Sequence, residues 1–309
     1  MATLSSSAIT AAATAAVSPP PPPATVAFTT PQNYAPRLSR LLALKGHAPL
    51  WCPTLSVGPT PHTVSSLRSH LRPPALEPFS AVAFTSRAGI AAFSAALAAL
   101  PAPLLGPDGG AFVVAALGRD SELLDADLLS RICADPRRIE TLVPQVASPR
   151  GLADSLGRGD GRRIPCPVPL VVGIKEPPVV PEFIGDLEAN GWAVVRVAAY
   201  ETRWLGEDCA GAIVRRGGDG GEGLDAIVFT SSGEVEGLLR SLREGFGWEW
   251  EDVRRRWPEL VVAAHGPVTA AGAERLGVGV DVVGHKFESF GGVVEALSLK
   301  LPSARTTLN

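Results

Sequence analysis

The sequence is short of the residues on which common chemistries depend. Its four cysteines are scattered at 52, 133, 166 and 209, with no Cys-x-x-Cys pair. That argues against structural zinc and for a reduced compartment. The five histidines, at 47, 62, 70, 265 and 285, stand at no metal-ligand spacing. There is no Walker Gly-Lys-Ser/Thr and no Gly-x-Ser-x-Gly elbow, so the usual signatures of nucleotide and ester hydrolysis are missing. No apolar run approaches the roughly 20 residues that span a bilayer, and a soluble protein is expected. A net charge of −3 gives no basic face for nucleic acid. Tyrosine occurs only twice, and no acidic residue precedes Glu77.

That last absence carries information. Residues 1 to about 24 form a Ser/Thr/Ala tract ending in Pro19 to Pro23. A hydroxyl-rich leader without acid has the composition of an organelle transit peptide, and the lack of arginine points to the chloroplast stroma over the mitochondrion. An uncleaved disordered tail is the plainer alternative. Either way the leader is set aside from the fold.

What is present is a repeat. Ala81-Val82-Ala83-Phe84-Thr85-Ser86 returns as Ala226-Ile227-Val228-Phe229-Thr230-Ser231. Val113-Val114-Ala115-Ala116, with Gly118 and Ser121, returns as Val261-Val262-Ala263-Ala264, Gly266 and Thr269. A strand at Val26 and a helix ending before Gly46 match a strand at Val171 and a helix ending before Gly191. Gly151 to Leu156 is echoed by Gly292 to Leu297. Near-constant spacing between four matches implies a tandem duplication of one α/β unit, and 309 residues suffice for two ordinary domains.

Strands and helices alternate along the chain, the pattern of a doubly wound parallel sheet. The first strand is Thr25 to Thr30, and its helix carries Tyr34, Leu38, Leu41 and Leu42 on one face. Leu50 to Leu55 is extended, as an edge strand or a connector. Residues 58 to 78 read as linker plus a short helix. The helix after Gly118 carries Leu124, Leu128 and Ile132, and Thr141 to Val146 is a fifth strand. The second half opens at Leu170 to Ile174, and Trp192 to Tyr200 is extended. Gly218-x-Gly220-x-x-Gly223 is formally a dinucleotide fingerprint, but a strand follows it where a helix is needed, so it is read as a loop.

Candidate chemistry lies where strands end. Thr30, Thr85, Ser86, Ser121, Thr230, Ser231 and Thr269 all fall at strand-to-helix junctions. Each could simply cap a helix, a contribution of about 1 kcal/mol. Carboxyl ends of parallel strands also line ligand crevices, and helix N-termini attract anions. The double set favours a cleft that grips a small molecule with many carboxylates. His265, beside Gly266, either faces that cleft or is structural. Tyr200 either packs at a hinge or donates a proton to a leaving group.

These motifs together resemble the uroporphyrinogen-III synthase family, which carries an apolar-Phe-Thr-Ser strand twice. It also has an Ala-x-Gly-x-x-Thr turn in each half and a Tyr ending the return connector. Here these are Phe84-Thr85-Ser86 and Phe229-Thr230-Ser231; Ala116-Leu117-Gly118 to Ser121 and Ala264-His265-Gly266 to Thr269; and Tyr200. The resemblance covers about Thr25 to Leu299. It implies two flavodoxin-like lobes, 25–54 plus 201–301 and 55–200, joined by a two-stranded connector, with 302–309 a tail. It also implies cofactor-free dehydration and cyclisation of hydroxymethylbilane, a linear tetrapyrrole with eight carboxylates. Tyr200 would be catalytic, the seven hydroxyl residues would bind substrate, and a monomer is expected. The sequence departs from the family at Thr30, where an Arg is usual, at Ser121, where a Thr is usual, and at Glu234, where a carboxylate enters the helix's first turn. A relative that binds a tetrapyrrole or other polycarboxylate without turning it over is therefore a second reading. An unrelated two-lobed transferase is a third, disfavoured by the small halves.

Overall fold

The computed structural model describes residues 22–71, 76–216, 223–286 and 289–301. Most of the leader, the loop containing Gly218 and Gly220, and the 302–309 tail lie outside the described residues. The chain begins with β1 (Thr25–Phe28), α1 (Ala35–Leu44), β2 (Ala48–Trp51), β3 (Leu55–Gly58) and α2 (Pro61–His70). There follow β4 (Ala81–Phe84), α3 (Arg87–Leu97), β5 (Phe112–Ala116), α4 (Ala126–Ile132), β6 (Ile139–Leu142) and α5 (Pro149–Leu156). Next are β7 (Arg163–Val172), α6 (Val179–Ala189), β8 (Ala193–Trp204), α7 (Gly211–Arg216) and β9 (Ala226–Phe229). The chain closes with α8 (Ser232–Phe246), α9 (Trp250–Arg256), β10 (Val261–Ala264), α10 (Pro267–Arg275), β11 (Val282–Val283) and α11 (Gly291–Lys300).

The larger sheet is parallel and ordered β11-β10-β9-β1-β2, the flavodoxin order 2-1-3-4-5 when its own strands are counted along the chain. Its strands are continuous apolar runs because both faces are covered. Val26 and Phe28 pack with α1 and α11, while Ala27, Ile227 and Phe229 pack with α8 and α9. Successive side chains of a strand point to opposite faces, so one four-residue strand feeds two cores.

The smaller sheet is β4-β5-β6, also parallel. The first half of β7 lies beside β4, bridged only at Phe79 and Arg163. The prolines explain why so little pairs there. The Ala193 N–H donates to Arg162 O and the Ser80 N–H to Arg163 O, so even-numbered positions of β7 face β8 and odd-numbered ones face β4. Pro165 and Pro167 are odd and have no N–H to give. Side by side, the strands run β8-β7-β4-β5-β6, which matches β2-β1-β9-β10-β11 of the larger sheet when strands are paired through the repeat, though not when each set is counted along the chain. This strand corrects the expectation of a start at Leu170. It begins at Arg163, and its second half leaves the sheet after an irregularity at Val168/Pro169.

That second half joins the passage between the two sheets. β3 pairs antiparallel with the far end of β8, Leu55 opposite Trp204 and Gly58 opposite Glu201. β3 and the far end of β8 are the two strands that make the passage, as expected, and the second half of β7 flanks β8 on its other side. The chain crosses there twice, at residues 52–58 and 200–205, which puts Tyr200 on the second crossing.

Candidate active site

A cavity of about 550 Å³ opens between the sheets, a size that suits a small-molecule site. It lies at the carboxyl ends of the central strands, at the place in each sheet where the strand order reverses. Such reversals leave a crevice because the flanking connections run to opposite faces. In the larger sheet the crevice is at β1 and β9; in the smaller it is at β7 and β4.

At the smaller crevice Tyr200 meets Ser86. The two hydroxyl oxygens are 2.8 Å apart, and Tyr200 is 5% exposed. Ser86 is the N-cap of α3 and accepts from the Gly89 N–H at 3.1 Å. Gly89 sits in a tight place: a Cβ there would come within 3.1 Å of Pro167 O and touch the Tyr200 ring at 3.7 Å. Burial pushes the Tyr200 phenol up to about 12, against the opposing pull of Ser86, so it stays protonated at neutral pH. Arg87, in the first turn of α3, pairs loosely with Asp120 at 3.7 Å, with both side chains part-exposed.

At the larger crevice sits a carboxyl group. Glu234, in the first turn of α8, is 1% exposed. It accepts from Thr29 Oγ1 at 2.8 Å, the Thr230 N–H at 2.9 Å, Thr230 Oγ1, and Ser231 Oγ at 3.3 Å. Ser231 also caps α8 through the Glu234 N–H. Burial raises the Glu234 pKa, opposed by the hydrogen bonds from Thr230, Thr29 and Ser231. The cavity's third wall is aromatic. Tyr34 and His265 each set an edge against Phe290, at 6.4 and 5.2 Å between ring centres.

Of the seven hydroxyl residues named from the sequence, Thr85, Ser86, Thr230 and Ser231 line this cavity together with Tyr200. The other three do not. Thr30 is fully buried, its Oγ1 has no hydrogen-bond partner among the described residues, and its carbonyl oxygen accepts from the Trp51 indole. Ser121 does not open a helix. Gly118 adopts φ 43°, and residues 118–123 form a 3₁₀ turn in which Ser121 Oγ donates to Gly118 O and Asp120 lines the cavity. Thr269 is 7% exposed and donates to Thr230 O at 3.1 Å, so it steadies the neighbouring strand end without reaching the cavity.

Tyr34, Asp120 and Phe290 were missed by sequence reasoning. Tyr34 reads as the first position of an apolar helix face, but it is the N-cap residue of α1 and half-exposed to the cavity. Its rarity was the usable signal, since the cavity holds both tyrosines of the chain.

The chain matches the family Uroporphyrinogen-III synthase HemD over residues 36–293. It belongs to the uroporphyrinogen-III synthase family. The family's fold is seen in a mutant uroporphyrinogen III synthase from the extremely thermophilic bacterium Thermus thermophilus, 18% identical, aligned over 90% of this chain and 98% of that one with a TM-score of 0.56. The uroporphyrinogen-III synthetase of Helicobacter pylori aligns over 89% and 99%, at 14% identity and a TM-score of 0.49. No curated protein matches the chain. As a uroporphyrinogen-III synthase the chain is a lyase of tetrapyrrole biosynthesis. Cys52 and Cys166 are poor candidates for nucleophiles, since burial pushes both thiols up to about 12. Among the described residues no group of His, Cys, Asp and Glu is placed to hold a metal ion.

Proposed function

We propose that hydroxymethylbilane is dehydrated and cyclised, with inversion of its last pyrrole ring, in the cavity between the two sheets. The observation that carries this reading is the Tyr200–Ser86 pair, a protonated phenol held on a helix cap inside a cleft walled from both sides. In the dehydration the carbon–oxygen bond breaks, the pyrrole nitrogen supplies the electron pair, and the hydroxyl leaves as water with the phenolic proton. A phenol near 12 is acidic enough for that, since water has a pKa of about 15.7. Thr85 and Ser86 offer hydroxyls to the substrate, and Tyr34, His265 and Phe290 offer a wall for flat rings. The reactive chain needs mainly to be held in a curled pose, which a preformed cleft supplies.

Two lobes, 25–54 with 201–301 and 55–200, form this cleft. The division is supported by the buried clusters, two of which draw only on the first set of residues and two only on the second. Action in the chloroplast stroma, with residues 1 to about 24 as the import signal, is supported by the leader's composition, and the chain is proposed to act as a monomer. The test is a coupled assay with freshly generated hydroxymethylbilane, separating the type I and type III isomers. Type III product above the spontaneous background is expected; type I alone rejects the reading.

A further inference from the structure

The two halves of the cavity carry the same Phe-Thr-Ser motif but treat it differently. In the second copy, hydroxyls from both strands at the crevice, Thr29 after β1 and Thr230 after β9, converge on Glu234 together with Ser231 and the Thr230 N–H. In the first copy the matching position is Gly89, with no side chain, and Ser86 is met by the neutral Tyr200 hydroxyl. A capping glutamate would ordinarily reach back to the N-cap N–H at the surface. Glu234 reaches further, to the preceding residue and across to β1, and is buried in doing so. It fills the place where an open α/β sheet receives an anionic ligand group.

We propose that Glu234 is a built-in carboxylate occupying the larger sheet's crevice, so that the substrate enters with its acidic side chains turned away from α8 and toward the smaller sheet. Glu234 then determines specificity by making a duplicated cleft electrically one-sided. A duplicated pair of equivalent anion sites would accept a chain of alternating acidic side chains in either direction. With one site filled from within, one direction is favoured, as a reaction that treats only the last ring differently requires. This inference rests on the tetrapyrrole reading above.

The experiment uses the full chain with Glu234→Ala and Glu234→Gln. The first arm measures thermal stability in sodium acetate against sodium chloride at equal ionic strength. Acetate is expected to raise the melting temperature of Glu234→Ala in a saturable way, and to leave the wild type and Glu234→Gln unmoved. The second arm measures binding of an unreactive octacarboxylate porphyrin at about pH 8. Removing one charge from the cleft wall should tighten binding to Glu234→Gln about ten-fold, with a steeper dependence on salt. Equal acetate shifts in all three proteins, or equal porphyrin affinity in wild type and Glu234→Gln, would overturn the proposal. Should Glu234→Ala fail to fold, the porphyrin arm decides alone. Should no protein bind porphyrin, the tetrapyrrole reading is what fails, and the acetate arm still decides whether Glu234 fills an anion site.

Discussion

Replacing Tyr200 by Phe separates chemistry from packing. The ring is 5% exposed and its hydroxyl makes a single hydrogen bond, to Ser86 at 2.8 Å. Phe keeps the buried ring. Ser86 keeps its role as a cap, because the Gly89 N–H remains bonded to it. The stability lost is therefore one net hydrogen bond, about 1 kcal/mol, or a fall in Tm of roughly 2–4 °C. A donor to the leaving group is worth far more in rate, about 10²-fold or greater. Turnover at saturating substrate should fall by that factor while KM changes little, since the contact matters most as the hydroxyl departs. The assay is isomer-resolved turnover, with thermal melting in parallel. Full turnover in Tyr200→Phe would refute the proton-donor role and leave the reaction to positioning and the substrate's own reactivity. A collapse in Tm of more than about 10 °C would show that the hydroxyl is structural.

Thr269→Val removes the bond to Thr230 O while keeping shape; it should lower Tm by a few degrees, about 1 kcal/mol, with substrate affinity unchanged, and a large affinity loss by titration would show ligand contact. Glu234→Gln should change the pH profile of stability. Burial raises the folded-state pKa above the ordinary 4.5, so between pH 4.5 and the folded value the native state holds a proton that the unfolded chain releases, and above the folded value the group is a carboxylate in both. Stability from this group is fullest below that pH and falls as pH rises through the folded value. The melting-temperature difference, variant minus wild type, should grow as pH rises above about 4.5; a flat difference contradicts the sign. Residues 1–24 with a short flank, fused to a fluorescent reporter, should send it to plastids, and a purely cytosolic signal rejects import.

Much of this was legible because buried parallel strands announce themselves. Val82 to Phe84 and Ile227 to Phe229 are unbroken apolar runs closed by hydroxyl caps, and both lie where the pattern puts them. The start of β7 was hidden because Pro165, Pro167 and Pro169 break the usual strand signature; alternate spacing puts Pro165 and Pro167 on the β4 side, away from the ladder with β8. Tyr34 sat in a helical apolar stripe, and periodicity cannot tell a residue at the helix entrance from one on its buried face. The position of Glu234 in a helix's first turn was readable, but not its direction. A capping side chain pointing outward and one folded across to Thr29 have the same sequence, and only the pairing of β1 with β9 brings Thr29 within reach. Ser121 misled because a left-handed Gly118 sends the chain into a 3₁₀ turn, whereas Gly266 is extended and Pro267 starts α10 directly.

The central claim is that this cleft closes the tetrapyrrole with its last ring inverted. The most direct measurement supplies freshly made hydroxymethylbilane to the wild-type chain, oxidises the products and separates the isomers. Type III product in excess of the spontaneous type I product, lost in Tyr200→Phe, is the predicted result. Only the type I isomer, at the rate seen without protein, would contradict it.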